Sequence, residues 1–433
     1  MTALVTTPAR KPLRGTVTVP GDKSITHRAL ILGALAEGIT QISGYSRGTD
    51  CLHTLEAIRA CGIVIEEKNH QCVEIQGKGL QGWTEPCGVI DCGNSGTGIR
   101  LLSGVLAGQN FFSVLTGDAS LRSRPMGRVV APLREMGATI FGRKGGAFAP
   151  LAIQGAQLRG RAHVSPVASA QVKSAILLAG LLAQGTTRVT EPAKSRDHTE
   201  RMMKFFGITL DIMDCTVALV GQQSFTGTAI TVPGDLSAAA FFLVAASIVP
   251  ESELSLPGVG INPHRIGIVE ILQEMGAKIE LHRVREESGE PVADLVVRSA
   301  PLHGVRIGGQ QIPKTIDELP ILCVAAAAAE GETEISGAEE LRVKETDRIR
   351  AMVSELKKMG ASIEEKPDGL RIQGGNPLQG ARCDSYGDHR VAMSLAVAGL
   401  VAQAPVMITD VECIETSFPE FSDKLLELLT ISQ

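Results

Sequence analysis

The hydrophobic and polar positions of this chain follow two alternating patterns. In one, a polar turn leads into a helix built almost wholly of small apolar residues, as in VPGDKSITHRALILGALAEG (19–38). In the other, a polar start precedes an amphipathic helix that stops at Gly, as in ETDRIRAMVSELKKMG (345–360). Its apolar residues recur at helical spacing, and the Gly occupies a C-cap position. With a β-like stretch beside each helix, the alternation predicts an α/β fold.

The first pattern occurs six times, roughly 70 residues apart. The copies begin near residues 12, 89, 157, 224, 301 and 377, and the copy at 89 is the weakest. This period exceeds the ~20–50 residues of common solenoids, which favours six compact subdomains grouped into two domains of three. VPGD occurs at 19–22 and at 232–235, and Pro-Gly commonly interrupts regular structure. We therefore predict one domain of residues 1–20 plus 234–433 and a second of residues 21–233.

Composition narrows the possible functions. Aromatic residues make up 3% of the chain and the formal net charge is -5, which argues against binding to nucleic acid or to anionic membranes. The nine cysteines are scattered without a C-x-x-C pair, as is typical of a reducing compartment. The longest apolar run, Ala238 to Val249, is shorter than the ~18 residues that a membrane span needs. We expect a cytoplasmic protein with no nucleic-acid or membrane partner.

Candidate chemistry is concentrated at the starts of helices. Each small-residue helix follows a turn rich in hydrogen-bond donors: GDKS, GNSGTG, ASAQ, PGDLS, TIDE and YGDHR. Helix N-termini attract anions, although each of these polar residues could equally be an ordinary N-cap. Basic residues gather at the starts of both helix types; they are Lys23, Arg28, Arg100, Arg122, Arg124, Arg128, Arg196, His198, Lys344, Arg348, His389 and Arg390. In a chain of negative net charge, this local pattern predicts small phosphorylated acids as ligands.

Two further features bear on a site. GNSGTG lacks the spacing of a dinucleotide-binding or P-loop motif, so we interpret it as a loop whose N–H groups approach a ligand closely beside Gly96. Asp317 in TIDELP and Glu345 in KETDR are candidates for acid-base chemistry. From the residues alone, each could equally be a helix cap or a member of an ion pair.

Eight segments, taken in order, resemble the 5-enolpyruvylshikimate-3-phosphate (EPSP) synthase family. They are VPGDKSITHRAL, GNSGTGIR, RSRPMGR, SAQVKSAILLAGL, SRDHTE, IDELP, RVKETDR and GDHRVAMS. RPMGR, SAQVK and RDHTE are most similar to the bacterial class II branch. The resemblance implies an inside-out α/β barrel fold: two domains, each of three βαβαββ subdomains, with the active site in the interdomain cleft. It also implies a monomer that needs no metal or organic cofactor.

The implied reaction couples phosphoenolpyruvate to the 5-hydroxyl of shikimate 3-phosphate and releases phosphate, on the route to chorismate and the aromatic amino acids. Residues implied at shikimate 3-phosphate are Lys23, Ser24, Arg28, Ser169, Gln171, Arg196, Asp317 and Lys344. Residues implied at phosphoenolpyruvate are Lys23, Asn94, Gly96, Arg124, Gln171, Arg348, His389 and Arg390. Asp317 would take the hydroxyl proton, and Glu345, assisted by Lys23, would exchange a proton with the methylene carbon.

The chain departs from the class I pattern of this family in two places. Thr416 stands where class I has a Lys, and Ala170 stands where class I has a second Ser. Gly96 is Ala in the class II enzymes that tolerate the herbicide glyphosate. We therefore expect this chain to be inhibited at low glyphosate concentrations.

Three alternatives stay open. UDP-N-acetylglucosamine enolpyruvyl transferase shares the fold and the donor, but its loop Cys is missing from residues 111–128 here. RNA 3'-terminal phosphate cyclase has a related repeat but would need a nucleotide site and a more basic surface. A non-catalytic protein that binds phosphorylated ligands is disfavoured by the presence of both Asp317 and Glu345.

Overall fold

The computed structural model describes residues 3–430, which fold into two compact units. Within this range, unit 1 comprises residues 3–20, 233–285 and 291–430, and unit 2 comprises residues 21–232 and 286–290. The division predicted from the sequence differs at Pro233 and at residues 286–290. The second difference has a physical cause, because Ser288 Oγ accepts a hydrogen bond from Thr231 N at 2.9 Å.

The α-helices of residues 3–430 alternate with short strands in both units. They are α1 (Lys23–Leu35), α2 (Thr49–Ala60), α3 (Gly96–Ala107), α4 (Gly127–Glu135), α5 (Arg143–Gly146), α6 (Ala170–Leu182), α7 (His198–Phe205), α8 (Leu236–Ile248), α9 (Gly267–Glu274), α10 (Gln311–Thr315), α11 (Leu319–Ala328), α12 (Arg348–Lys358), α13 (His389–Gly399) and α14 (Phe421–Thr430). None of them is both long enough and apolar enough to cross a bilayer.

The small-residue helices form the centre of each unit. They are α1, α3 and α6 in unit 2, and α8, α11 and α13 in unit 1. Because apolar residues surround them on all sides, they are buried along nearly their whole length. Small side chains also allow close approach: a Cβ added at Gly104 of α3 would lie 2.2 Å from the carbonyl oxygen of Ala175 in α6.

Each unit contains three small sheets within the described residues. In unit 2, the first sheet has the strand order Ala229–Thr231, Glu37–Ser43, Cys72–Lys78, Val64–Asn69. The second has the order Ile90–Asp91, Phe112–Thr116, Phe148–Gln154, Thr139–Gly142. The third has the order Ala162–Val164, Thr186–Thr190, Thr216–Val220, Asp211–Met213. In unit 1, the first sheet has the strand order Lys278–Glu287, Glu290–Arg298, Glu253–Gly260, Arg14–Thr16. The second has the order Arg306–Ile307, Glu332–Ile335, Gly369–Gln373, Ser362–Lys366. The third has three strands in the order Ala3–Thr6, Val406–Thr409, Arg382–Asp384.

The sheets share one plan. In each four-stranded sheet of unit 2, the first strand pairs parallel to the second, and the remaining pairs are antiparallel. In the chain, a small-residue helix usually lies between the two strands of the parallel pair. Two sheets differ by an exchange of first strands, because each takes its first strand from the part of the chain that precedes the other unit. Arg14–Thr16 pairs with Glu253–Gly260, and Ala229–Thr231 pairs with Glu37–Ser43. The α/β fold that the alternating pattern predicted is confirmed, and the exchange occurs at the two VPGD segments.

Candidate functional site

The polar turns supply helix caps. Asp22, Ser95, Ser169, Asp235 and Asp388 each accept a hydrogen bond from a backbone N–H two or three residues further on. Because these side chains are used as caps, the basic residues nearby are the groups with which each turn can bind an anion.

Arg28 lies on α1 and joins three segments of unit 2. Its guanidinium donates to Thr199 Oγ1 at 2.6 Å and to Ser174 Oγ at 2.7 Å. It also donates to the backbone oxygen of Ser24 at 2.8 Å. Burial lowers the pKa of Arg28 to about 10, with a further lowering from the charge of Arg196 and opposing effects from nearby carboxylates. The structure thus brings together Arg28, Arg196 and the backbone of Ser24, three of the residues expected at shikimate 3-phosphate.

A buried ion cluster lies next to this group, because two of its members, Lys173 and Glu200, are the chain neighbours of Ser174 and Thr199. Lys173 Nζ lies 2.9 Å from Glu191 Oε2 and 2.7 Å from Glu200 Oε1, and all three side chains are buried. Glu191 accepts from the backbone N–H of Ser169 at 2.9 Å and from Ser195 Oγ at 2.7 Å. The cluster therefore ties the turn of Ser169 to the segment before Arg196. Sequence reasoning missed it, because the three charges come from three separate elements.

Asn94 and Arg124 form a second group in unit 2. Arg124 Nη2 donates to Asn94 Oδ1 at 2.6 Å, and Arg124 is 6% exposed. A Cβ added at Gly96 would lie 2.8 Å from Arg100 Nη1 and 3.2 Å from Arg124 Nη1. Gly96 thus keeps open the space beside two guanidinium groups.

Gln171 joins this group through Arg100. Arg100 Nη1 donates to Gln171 Oε1 at 2.6 Å, and Gln171 Nε2 donates to Thr97 Oγ1 at 2.9 Å. Arg100 was noticed in the sequence as a cation but received no ligand role. Its contacts with Gln171 and Gly96 place it among the expected phosphoenolpyruvate residues.

Lys23 has an acidic partner that sequence reasoning missed. Its Nζ lies 3.0 Å from Asp50 Oδ2, and the side chains are 15% and 8% exposed. The ammonium group is therefore held in place before any ligand arrives. Asp50 belongs to the first turn of α2, where an acidic residue is an ordinary helix-stabilising feature and so gave no signal.

His27, next to this lysine's turn, is buried and neutral. Its Nδ1 lies 2.8 Å from Thr54 Oγ1, and burial, followed by the charges of Lys23 and Arg28, holds the pKa of His27 well below its usual value of 6.5. The unfolded chain therefore binds a proton that the native chain rejects once the pH falls below 6.5. Above pH 6.5, His27 is neutral in both states and does not destabilise the fold. As the pH falls below 6.5, protonation of the unfolded chain lowers the free energy of unfolding.

We expect the His27→Gln variant to lose part of the acid sensitivity of the native fold. In denaturant unfolding from about pH 7.5 down to pH 5, the wild-type free energy should fall more steeply, by up to about 1.4 kcal/mol per pH unit. His70→Gln, at an exposed histidine, is the matched control and should retain the wild-type slope. Equal slopes for wild type and His27→Gln would contradict the assignment.

In unit 1, Arg348 is the centre of an ion-pair cluster. This first residue of α12 is 1% exposed, and its Nε lies 2.8 Å from Asp388 Oδ2. Its Nη2 lies 2.7 Å from Glu345 Oε2, and its Nη1 lies 3.5 Å from Asp317 Oδ1. Burial alone would lower the pKa of Arg348, but these carboxylates raise it well above its usual value. One guanidinium therefore holds both acid-base candidates.

Lys344 completes this cluster. Its Nζ lies 3.3 Å from Asp317 Oδ1, while the Asp317 and Glu345 side chains remain 16% and 17% exposed. The ion-pair interpretation left open by the sequence is thus correct as geometry. It does not exclude chemistry, because both carboxylates keep an accessible edge.

His389 and Arg390 begin α13 directly after Asp388, and both are buried. Arg390 Nη1 lies 3.7 Å from Glu318 Oε1, which accepts a hydrogen bond from Ser237 Oγ. These two candidates lie beside the Arg348 cluster in the chain, but Arg390 has a carboxylate partner of its own.

The Glu318 side chain belongs to a polar network that sequence reasoning missed. Arg265 Nη2 donates to Ser237 Oγ at 2.6 Å and to Asp235 Oδ1 at 2.7 Å. Both Glu318 and Arg265 are buried. The turn PGDLS, expected to bind an anion, is therefore linked to Glu318 through Ser237 and Arg265.

Thr416 ends the 3-10 helix Val411–Thr416, and its hydroxyl donates to the carbonyl oxygen of Cys413 at 2.7 Å. It thus caps its own turn at the position where the class I pattern has a Lys.

Comparison with known proteins identifies the class and the family. Among solved structures, an EPSP synthase from Acinetobacter baumannii superposes with a TM-score of 0.88 at 46% identity, with 98% of each chain covered. The enolpyruvyl transferase NikO from Streptomyces tendae superposes with a TM-score of 0.79 at 16% identity, covering 98% of this chain and 97% of that one, and so shows the fold alone. This chain has the enolpyruvyl transferase fold.

The family model described as EPSP synthase (3-phosphoshikimate 1-carboxyvinyltransferase) matches residues 7–425. A 3-phosphoshikimate 1-carboxyvinyltransferase from Synechococcus sp. (strain JA-3-3Ab) is 58% identical over 433 residues, covering 99% of this chain and 97% of that one. The chain belongs to the EPSP synthase family. The family resemblance inferred from the eight segments is confirmed, and with it the expectation of an enzyme that acts on small-molecule substrates.

Proposed function

We propose that this enzyme transfers the enolpyruvyl group of phosphoenolpyruvate to the 5-hydroxyl of shikimate 3-phosphate and releases phosphate. The observation that carries the proposal is the pairing of Asp317 and Glu345 with the single buried guanidinium of Arg348. An addition-elimination reaction needs one group that removes a hydroxyl proton and another that exchanges a proton at carbon, both held in fixed positions.

In the proposed mechanism, Asp317 accepts the proton of the 5-hydroxyl as its oxygen attacks C2 of phosphoenolpyruvate. Glu345, which enters this step as the protonated carboxylic acid and is assisted by Lys23, supplies its proton to C3, which gives a tetrahedral intermediate with a new C–O bond. Glu345 then removes a proton from C3 as the C2–O bond to phosphate breaks, which restores the double bond. The proton held by Asp317 passes, directly or through solvent, to the departing phosphate, which leaves as hydrogen phosphate. Lys344, at 3.3 Å from Asp317, would favour the carboxylate orientation that receives the proton.

The basic residues supply the binding energy for the four anionic groups of the substrates, one carboxylate and one phosphate on each. We propose that Arg28, Arg196, Ser24, Ser169, Gln171 and Lys344 hold shikimate 3-phosphate. We propose that Asn94, Gly96, Arg124, Gln171, Arg348, His389 and Arg390 hold phosphoenolpyruvate. Lys23 serves both, and Arg100 joins the second group. Guanidinium groups can bind phosphate and carboxylate through two parallel hydrogen bonds. Because their protein partners already orient them, they need little rearrangement when the substrate binds and reacts.

We also propose that the enzyme works in the cytoplasm as a monomer without a metal. Light scattering coupled to size exclusion would measure the mass directly against the 45.6 kDa of one chain.

The decisive experiment is phosphate release by purified protein given phosphoenolpyruvate, with a chelator present throughout. Shikimate 3-phosphate and UDP-N-acetylglucosamine are compared as acceptors. Release with shikimate 3-phosphate alone supports the proposal. Release only with the other acceptor, or with neither although both ligands bind, overturns it; loss of release on adding chelator overturns the metal-free mechanism.

We expect the native enzyme to be sensitive to glyphosate, and replacing Gly96 with Ala should make it tolerant. The added methyl would crowd Arg100 and Arg124 at 2.8 and 3.2 Å, where we propose that phosphoenolpyruvate binds. We expect the half-inhibitory glyphosate concentration to rise about 10- to 100-fold, as is typical of an overpacked contact. Inhibition is measured by phosphate release at fixed phosphoenolpyruvate.

Gly127→Ala provides the control for this variant. Gly127 also begins a helix, but a Cβ there would meet nothing within 4 Å. It should therefore keep wild-type inhibition. Glyphosate tolerance in the wild type, or unchanged sensitivity in Gly96→Ala, would contradict the placement of Gly96.

A further inference from the structure

Glu355 of α12 is a fully buried carboxylate outside the residues assigned to catalysis. Its oxygens accept hydrogen bonds from Tyr386 Oη at 2.6 Å, Lys358 Nζ at 2.8 Å and the backbone N–H of Asp384 at 3.0 Å. Two of these donors belong to the segment before α13: the Asp384 N–H ends the strand Arg382–Asp384, and the Tyr386 hydroxyl belongs to the turn that follows. A buried charge with several partners is costly to rearrange, so the contact fixes the turn against the helix.

The same helix and the same turn also meet at Arg348 and Asp388. Arg348 and Glu355 are seven residues apart on α12, which places them about two turns apart on one face. Tyr386 and Asp388 are two residues apart in the turn. Two contacts between the same pair of segments define their relative orientation, whereas one contact alone would leave a rotation free.

The turn itself is conformationally demanding. Tyr386 has φ +55°, in the left-handed region that an aromatic residue seldom adopts, and Gly387 follows at φ +66°. The backbone N–H of Tyr386 donates to Asp384 Oδ1 at 2.7 Å. A strained backbone persists only where surrounding contacts hold it, and the hydroxyl contact with Glu355 is one that the tyrosine side chain itself supplies.

We propose that Glu355 and Tyr386 are positioning residues, which hold the turn of Asp388 against α12 and thereby orient Arg348 and His389 for phosphoenolpyruvate. The proposal rests on the ligand role proposed for Arg348 and His389. Neither Glu355 nor Tyr386 needs to touch substrate. Their loss should loosen the phosphoenolpyruvate pocket much more than the other pocket. The residues proposed for shikimate 3-phosphate lie outside the turn, and Asp317 contacts Arg348 only at the longer distance of 3.5 Å.

The test compares Tyr386→Phe with a matched control. The chain has two tyrosines, and the other one, Tyr45, donates to Glu67 Oε2 at 3.2 Å in unit 2. Tyr45→Phe therefore removes the same kind of hydrogen bond at a different place. Phosphate release is measured against each substrate in turn at saturation of the other, and thermal unfolding is recorded for each protein.

We expect Tyr386→Phe to raise the KM for phosphoenolpyruvate about 3- to 10-fold. This is less than the full loss of a hydrogen bond to a charged group, because the tyrosine acts on the substrate only through Arg348 and His389. The KM for shikimate 3-phosphate should change less than about twofold. Tyr45→Phe should leave both KM values at the wild-type level. Glu355→Gln keeps an oxygen that can accept the hydrogen bond from Tyr386. Its KM for phosphoenolpyruvate should therefore be closer to the wild-type value than that of Glu355→Ala.

An unchanged KM for phosphoenolpyruvate in Tyr386→Phe would overturn the inference, as would an equal rise in both KM values together with a lowered unfolding temperature. These outcomes are distinct from failure of the proposed function, in which the wild-type enzyme releases no phosphate.

Discussion

The Asp317→Asn variant should lose about 10²–10⁴-fold in kcat, the range typical of a removed general base. Asn keeps the size of the side chain and an oxygen that can accept from Lys344 at the 3.3 Å contact, but an amide cannot take up the hydroxyl proton. The KM values should therefore change much less than kcat. Steady-state phosphate release, with active-site concentration measured by ligand titration, separates the two quantities.

Asp368→Asn is the control for this substitution. Asp368 accepts a hydrogen bond from the backbone N–H of Gly337 at 2.8 Å in an exposed turn of the same unit. Its replacement should leave kcat within about twofold of wild type, as for a surface substitution. A kcat for Asp317→Asn close to that of Asp368→Asn would remove Asp317 from the role of base.

Arg348→Lys should produce the second large effect, on binding and stability together. Lysine retains the charge, but it cannot span Asp388, Glu345 and Asp317, which the planar guanidinium contacts at 2.8, 2.7 and 3.5 Å. We expect the KM for phosphoenolpyruvate to rise about 100-fold, which corresponds to one or two lost charge-assisted hydrogen bonds. The free energy of unfolding should fall by about 1–3 kcal/mol, because a buried acceptor loses its donor.

Arg342→Lys offers the matched comparison. Arg342 pairs with Asp347 at 2.8 Å and Glu365 at 2.9 Å, but its side chain is 25% exposed. Solvent screens such pairs, so the loss should stay below about 1 kcal/mol, with both KM values unchanged. If the two variants behave alike in denaturant unfolding and in kinetics, Arg348 is not the organising residue of the cluster.

Much of the fold follows from local pattern. The start of α1 after Asp22 and the start of α13 after Asp388 were visible as polar turns before small-residue helices. The two VPGD segments indicated where the chain passes from one unit to the other, but the strand pairing itself was not visible. Arg14–Thr16 and Ala229–Thr231 are each three residues long and precede similar VPGD segments, so their local sequences do not specify the partner strand or the register. The choice is made by packing over long sequence distances.

The candidate site shows the same limit. Asp317 and Glu345 were found from their cationic neighbours, but the ion-pair distances that join them to Arg348 depend on how three turns meet. Glu318 and Asp50 were missed because a carboxylate beside a helix start is an ordinary feature of any soluble protein. Only the three-dimensional arrangement separates the carboxylates that bind a guanidinium from those that merely cap a helix.

The strand exchange has a consequence for synthesis on the ribosome. Unit 2 receives the strand Ala229–Thr231 only when more than half of the chain has been translated, while Arg14–Thr16 must wait for Glu253–Gly260. Ala3–Thr6 waits longer still, for Val406–Thr409. These two early strands therefore stay unpaired until their partner strands have been synthesised. Completion of unit 1 is necessarily a late event, and deleting the first strands should damage a unit built mainly from the other end of the chain.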